Sequence, residues 1–382
     1  MLRNPKLSII IPCYNCEKTL KRSFDSCWEQ NIDFQWEIIM IDDGSRDKTK
    51  ILMNKLAEGH NNVKLLYHEK NRGGGATRNT GIKNCSGNII FCLDSDNILP
   101  PNTLNKMAHF LIKNELDGTL FYERRFFQHD DTKNYYSHFN KIVDKPILLK
   151  NLFDQSDTIL DNFLYTKESY LKTSGYPENH GFDTQCFEVR YLSKNNKVFV
   201  CKDTYFLHRQ ARKGDSYFER EYNKGNFSKN YYLILEEIIE LFSEKALGEI
   251  INYDIFLKSS MKENILNEIK RMSLNGELFG ENKKYIIFVD AVKKYRENKY
   301  ADAIALYHQM LISGFKSKVL YYNILRNTVG LSEKKETIES ETDKLISGMA
   351  NKKERFYKTY HKIAILNKII ILLRKWKIIG KK

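Results

Sequence analysis

Short apolar runs alternate with amphipathic stretches of helical length through the first hundred residues. This alternation constrains the fold more than any other feature of the chain. The runs are "LSIIIP" (7–12), "WEIIMIDDGS" (36–45), "VKLLYHE" (63–69) and "NIIFCLDSD" (88–96). Each is a short apolar run, and "LSIIIP" is also rich in β-branched residues, so each predicts a strand. Between them lie "NCEKTLKRSFDSCWEQ", "DKTKILMNKLAEGH" and "GATRNTGIKNCSG". In the first, Leu20, Phe24, Cys27 and Trp28 recur at helical spacing, with Asn15 as the expected N-cap. Strands alternating with helices of this length predict an α/β domain, a mostly parallel sheet flanked by helices.

In such sheets ligands gather at the carboxyl ends of the strands. Polar residues punctuate those ends here: Tyr14, Asp42 and Asp43, Asn71 and Arg72, Asp94 and Asp96. From Asn102 to about Arg212 the pattern is mixed, with helical stretches at 102–114 and 185–194 and strands at 118–122 and 197–207. Beyond Tyr222 it turns helical. Residues 285–326 read as one helical hairpin, in which Ala291, Tyr295, Tyr300, Ala303 and Ala305 let two helices approach. One hairpin resembles a single tetratricopeptide unit, and an ordinary helical bundle is the competing reading. The expected organisation is 1–220, 221–350 and a tail at 351–382.

Composition narrows the function classes. The net charge is +14, but residues 351–382 hold eleven Lys/Arg against the single acid Glu354, which leaves +4 for the other 350 residues. The basic character thus belongs to the tail. No segment resembles a nucleic-acid module, so no nucleic acid is expected. The seven cysteines are odd in number and scattered among apolar residues, which predicts reduced, buried thiols. Cys13 and Cys16 have CxxC spacing but no second pair to complete a zinc site. "GGGATRNTG" is not GxGxxG and follows the third strand, which argues against a nicotinamide enzyme. No apolar run reaches the roughly 18 residues of a membrane span, and the N-terminus lacks a signal-like core, so a cytoplasmic protein is expected.

"FCLDSDNILPP" (91–101) places Asp94 and Asp96 one residue apart after an apolar run. Two readings stand at this point. Asp-Ser-Asp-Asn before Pro100 and Pro101 is turn chemistry. Two converging carboxylates also suit a hard divalent cation.

Four segments taken in order, "LSIIIPCYN", "IDDGSRDKT", "NRGGGATRNTGI" and "FCLDSDN", resemble the family 2 glycosyltransferases of the GT-A (Rossmann-like) fold, over roughly residues 5–215. The resemblance implies an inverting, bacterial surface-glycan type of enzyme. Such an enzyme moves a sugar from a nucleotide sugar, UDP-hexose or UDP-N-acetylhexosamine, to a hydroxyl of a glycan or lipid-linked acceptor. It implies Asp42 and Asp43 at the nucleoside, Pro12 and Tyr14 at the base, and Arg72 and Arg78 facing the nucleotide. Asp94 and Asp96 form the DxD pair, with Asp96 the more direct ligand of Mn²⁺ or Mg²⁺. In "GYPENHGFDTQCFEVRYL", Asp183 falls on the first position of the family's acidic pair and Thr184 on the second. Asp183 is then the expected general base, with Glu178 and Glu188 in reserve. In "YFLHRQARKGDSY", His208 falls where relatives place a histidine at the metal or diphosphate; Arg209, Arg212 and Lys213 are close by, with Arg212 or Lys213 on phosphate or in a solvated loop.

The tail "RFYKTYHKIAILNKIIILLRKWKIIGKK" interleaves basic and apolar residues. As a helix it suits an anionic membrane surface, consistent with a peripheral place at the inner face of the cell membrane. A partner or bundle helix, including one in a homo-oligomer, is the rival. A nucleotidyltransferase and a non-catalytic scaffold are the alternatives for the whole chain.

Overall fold

The computed structural model describes residues 4–128, 131–153, 162–178, 181–210, 233–252, 269 and 271–315, with scattered positions between 317 and 327. The chain divides into two compact units, Met1–Lys224 and Gly225–Lys382.

The first unit is built on an eight-stranded mixed sheet. Its strands are β1 Lys6–Cys13, β2 Gln35–Asp42, β3 Val63–Tyr67, β4 Ile89–Cys92, β5 Gly118–Gln128, β6 Asp131–Phe139, β7 Leu164–Thr166 and β8 Val198–Arg209. They lie in the order β3-β2-β1-β4-β7-β5-β6, with β8 paired to β5. The first four strands are parallel. β7 reverses direction against both β4 and β5. β8 runs parallel to β5, and β6 folds back on it as a hairpin.

The continuous apolar reading of β1, β2 and β4 follows from cover on both faces. Side chains alternate along a strand. Accordingly Ile9, Ile11, Ile38, Met40 and Phe91 enter one core cluster, while Ile10, Ile39, Ile41, Ile90 and Cys92 enter the other. Helices α1 (Leu20–Trp28) and α4 (Thr103–Lys113) close the first face through Leu20, Phe24, Leu104, Met107 and Leu111. Helices α3 (Gly74–Asn84) and α6 (Asp183–Leu192) close the second through Ile82, Phe187, Tyr191 and Leu192. Each such large side chain contributes about 1.5–3 kcal/mol on burial. Helix α2 (Thr49–Ala57) follows β2, and α5 (Lys167–Leu171) follows β7.

Three local expectations differ from the structure. Asn15 does not cap α1, which begins at Leu20 after Thr19. It sits at φ 48°, donates its N–H to Ser45 Oγ at 2.9 Å and accepts from the Arg46 N–H at 2.8 Å. An asparagine tolerates this left-handed backbone and stitches two loops instead of starting a helix. The DxD acids are not part of β4, which stops at Cys92; they occupy the turn beyond it. Finally, β6, β7 and α5 had no counterpart in the sequence reading, and β5 runs on to Gln128.

In the second unit, α7 (Glu244–Asn252) precedes a hairpin of α8 (Ile286–Arg296) and α9 (Tyr300–Ile312). The hairpin closes through Ala291 and Ala303, both fully buried, and through the Phe288 and Tyr307 rings, 5.9 Å apart. Tyr295 and Tyr300 meet at the turn. Ala305 departs from expectation and faces solvent, because α9 points Ala303, Ile304, Tyr307 and Met310 inward. Among the described residues, no helix is long and apolar enough to cross a membrane. Arg212, Lys213 and the tail at 351–382 lie outside the described residues.

Candidate functional site

A cleft of about 260 Å³ opens beyond the carboxyl ends of β1, β2 and β4, lined by Pro12, Tyr14, Asp43, Gly73, Thr77, Arg78, Asp94 and Asp96 among others. Six of these eight were singled out from the sequence, so a reading made strand by strand converges on one place.

The second strand's acids divide their work. Asp42 is buried and accepts the Ser45 N–H at 3.2 Å, closing the turn. Gly44 makes that turn possible at φ 71°; a Cβ there would lie 2.8 Å from the Asn71 nitrogen. Asp43 accepts the backbone N–H groups of Arg72 and Gly73, both at 2.9 Å. Its Oδ1 also meets His68 Nδ1 at 2.7 Å. A carboxylate only accepts, so Nδ1 carries the proton, and Nε2 forms a hydrogen bond with Thr80 Oγ1 at 3.0 Å. Asp43 therefore moulds the glycine loop that walls the cleft. The remainder of "IDDGSRDKT" is also structural stitching: Thr49 Oγ1 accepts the Cys16 N–H at 2.8 Å, and Asp47 accepts from Glu17 and Thr49.

Tyr14 leaves 47% of its surface open at the cleft. Cys13 and Cys16 are buried free thiols, like the other five cysteines. Arg72 turns away to the surface, where Nη2 meets Glu178 Oε2 at 3.2 Å.

Arg78 is the hub. It is buried on α3, with Nη2 at 2.6 Å from Asp94 Oδ1 and Nη1 paired with Asp183 Oδ2. Tyr176 presents its ring 5.6 Å from the guanidinium. Burial opposes the arginine's charge, but Asp183 and then Asp94 more than offset it and hold its pKa well above the ordinary value. Burial raises the Asp183 pKa; Arg78 pulls it back and Asp94 adds to the rise. A carboxyl of raised basicity in reach of a cleft is suited to take a proton. Thr184, at the second acid position, turns its hydroxyl to Gln185.

Asp96 is flanked by protein yet remains 37% open through the cleft, with Arg209 Nη1 at 3.6 Å. Burial, then the neighbouring Asp94, push its carboxyl up to about 6, against the pull of Arg209. A carboxylate held uncomfortable by a like charge is a place that favours a cation. Among the described residues, no three His, Cys, Asp or Glu side chains cluster as a ready-made metal cage. Mg²⁺ normally takes only one or two carboxylates and fills its shell with water and substrate phosphates. The acids present fit that donor set.

His208 arrives from the end of β8, where Ile98 bridges to Leu207. Its Nδ1 lies 3.4 Å from Asn97 Nδ2, and its ring packs edge-on against Phe126. It is not among the residues lining the cleft. Asn97, which the sequence reading missed, joins the two: Nδ2 reaches Asp94 Oδ2 at 3.3 Å, and Oδ1 accepts the Arg209 N–H at 3.0 Å.

Residues 8–173 match the family model Glycosyl transferase family 2. An uncharacterized glycosyltransferase of Haemophilus influenzae is 38% identical over 112 residues, covering 29% of this chain and 44% of that protein. The UDP-Glc:alpha-D-GlcNAc-diphosphoundecaprenol beta-1,3-glucosyltransferase WfgD of Escherichia coli is 36% identical over 110 residues, 29% of this chain and 42% of that one. The poly(ribitol-phosphate) beta-glucosyltransferase of Bacillus spizizenii is 27% identical over 257 residues, 64% of this chain and 38% of that one. The chain thus spans less than half the length of these curated relatives. The crystal structure of S. aureus TarS 1–349 in complex with UDP-GlcNAc has the same fold, with a TM-score of 0.50 at 18% identity, covering 92% of this chain and 93% of that one.

Proposed function

We propose that the protein, whose residues 8–173 match glycosyl transferase family 2, transfers a sugar, with inversion, from a UDP-hexose or UDP-N-acetylhexosamine to a hydroxyl of a glycan or lipid-linked acceptor. The observation that carries this reading is that Arg78, which lines the cleft with Asp94 and the open carboxylate of Asp96, pairs both with Asp94 and with Asp183, which lies behind it and outside the lining. The WfgD relative's named substrate, a sugar on a lipid diphosphate, supports the acceptor class. The UDP-GlcNAc bound to TarS is in keeping with the donor.

In this reading Tyr14 and Pro12 form the wall against which the base stacks, and Asp43 holds the loop that shapes the nucleoside side. Asp42 and Arg72 act there through the turn and loop. Asp96 would hold Mn²⁺ or Mg²⁺, with His208 as the further candidate ligand, and the cation would supply charge neutralisation for the diphosphate. Asp94 orients Arg78. Asp183 takes the proton of the acceptor hydroxyl as that oxygen attacks the anomeric carbon. Arg78, ion-paired to it, fixes the carboxylate's direction and, once the proton has moved, stays as a cation beside the diphosphate.

The helical region 221–350 serves acceptor or oligomer contacts, and the basic tail 351–382 holds the protein at an anionic membrane surface on the cytoplasmic side. The test is product analysis with a panel of nucleotide sugars and Mn²⁺ or Mg²⁺. Release of nucleoside diphosphate with the sugar moved to an acceptor is the expected outcome. Release of pyrophosphate would make the protein a nucleotidyltransferase, and no turnover of any donor would leave a scaffold.

A further inference from the structure

Asn79 follows Arg78 on α3, and its carboxamide makes four hydrogen bonds, its full complement. Nδ2 donates to the Tyr176 carbonyl at 2.8 Å and to Glu178 Oε1 at 2.9 Å. Oδ1 accepts from the Tyr176 N–H at 2.9 Å and from the Tyr170 hydroxyl at 2.8 Å. One side chain thus pairs both backbone groups of Tyr176.

The segment it grips, 175–178, is a strap between two helices. On the α6 side, Arg190 Nη1 donates to the Gly175 carbonyl at 2.7 Å, and the Tyr176 ring stacks 4.0 Å from Phe187. On the α3 side, Gly75 comes so close that a Cβ would lie 1.9 Å from the Pro177 carbonyl oxygen. The strap leads into the first turn of α6, where Asp183 meets Arg78. The strap thus packs against both helices beside the Arg78–Asp183 pair, and Asn79 is its polar anchor.

We propose that Asn79 is a positioning residue for Asp183: by locking the 175–178 strap to α3, it fixes the carboxylate of α6 against the guanidinium of α3. This rests on the reading of Asp183 as general base. Asn79 touches no reacting atom, and its effect falls on proton transfer rather than on holding the nucleotide.

The experiment compares full-length wild type with Asn79→Asp and Asn79→Ala. Asn79→Asp is isosteric and keeps both acceptor bonds. It removes both donor bonds and sets a charge against Glu178. The expected result is a drop in kcat of about tenfold or more for Asn79→Asp and more for Asn79→Ala. The Kd for UDP with Mn²⁺ stays within about twofold, and the acid limb of the kcat–pH profile moves. A kcat within twofold of wild type in a folded Asn79→Ala protein overturns the proposal. So does a parallel loss of UDP affinity and kcat. If both variants misfold, Tyr170→Phe removes a single bond to Asn79 and is read in the same way. If the wild type turns over no donor, the functional reading itself has failed. Hydrogen exchange at residues 175–178 then decides for the strap: faster exchange in Asn79→Asp supports the anchor, and unchanged exchange overturns it.

Discussion

Arg78 and Asp183 stand 105 residues apart in the chain and form a buried ion pair, Nη1 on Oδ2. The same guanidinium reaches Asp94 at 2.6 Å. One arginine thus neutralises two carboxylates from different elements, and Asp183 could not be buried there without it.

Replacing Arg78 with methionine leaves both carboxylates without their cation. A loss of about 3–5 kcal/mol in unfolding free energy is expected, read by urea denaturation. Arg78→Lys recovers little of it, since one ammonium cannot bridge two separated carboxylates in fork geometry. Adding Asp183→Asn to Arg78→Met restores part of the stability by removing an unpaired charge. Additive losses in the double variant would count against the pairing.

That pair also marks where the sequence stops being legible. β1, β2 and β4 could be read because burial on both faces leaves an uninterrupted apolar run. The polar strand ends pointed to the cleft because a parallel sheet brings those ends together. β7 is three residues long, and only its pairing partners define it. β6, "DTKNYYSHF", is a polar edge strand whose existence depends on the hairpin with β5. Asp43 looked like a ligand residue, yet two of its bonds go to backbone N–H groups of a loop 29 and 30 residues away. Residue type shows that a carboxylate is functional or structural; only the partner across the fold decides which. Asn79 carried no signal at all, because its four bonds go to Tyr170, Tyr176 and Glu178, 91 to 99 residues downstream.

Asp96→Ala is expected to abolish metal-dependent UDP binding, with Kd weakened by about a hundredfold or more, while the thermal midpoint stays near wild type. The side chain is partly open and anchors no core element, so its removal costs little stability. Calorimetric titration of UDP with and without Mn²⁺ checks this. Full turnover by the variant in the presence of EDTA would refute the assignment.

Glu37 gives a pH dependence remote from the cleft. Its Oε1 accepts from Ser8 Oγ at 2.6 Å, from the Ser86 N–H at 2.6 Å and from Ser86 Oγ at 2.7 Å. Partial burial works against the charge, but these bonds prevail and hold the pKa below the ordinary 4.5. A depressed carboxylate pKa contributes stability that is complete above the unfolded value and is lost as pH falls through the folded one. Glu37→Gln should therefore cost about 1–3 kcal/mol at pH 7. The gap between variant and wild type should narrow as pH falls below the ordinary 4.5 and close once it has passed the lower, folded value. Denaturant titrations across pH 3–7 read it, and a gap that stays constant over that range would show that the ionised form is not what these bonds favour.

Truncation after residue 350 removes the segment carrying +10 of the net charge of +14. Sedimentation with anionic phosphatidylserine vesicles should lose the truncated protein from the pellet, while donor hydrolysis is unchanged. Each basic residue near an anionic surface contributes on the order of 1 kcal/mol, and salt should weaken the wild-type binding accordingly. Vesicle binding that survives truncation would move the contact elsewhere on the protein.

Asp183→Asn is the sharpest test of the chemistry, because the candidate bases sit in different environments. Asp183 is buried against Arg78 with its basicity raised. Glu178 lies half exposed in a surface pair with Arg72, where it has neither desolvation nor a fixed direction toward the cleft. Asp183→Asn keeps the shape and one acceptor oxygen for Arg78 but cannot take a proton. Transfer should fall by about 10²–10⁴-fold with UDP affinity retained. Glu178→Gln should stay within severalfold of wild type, an effect passed through the strap. If Glu178→Gln instead abolishes transfer and Asp183→Asn does not, the base lies on the strap and Asp183 serves only to hold Arg78.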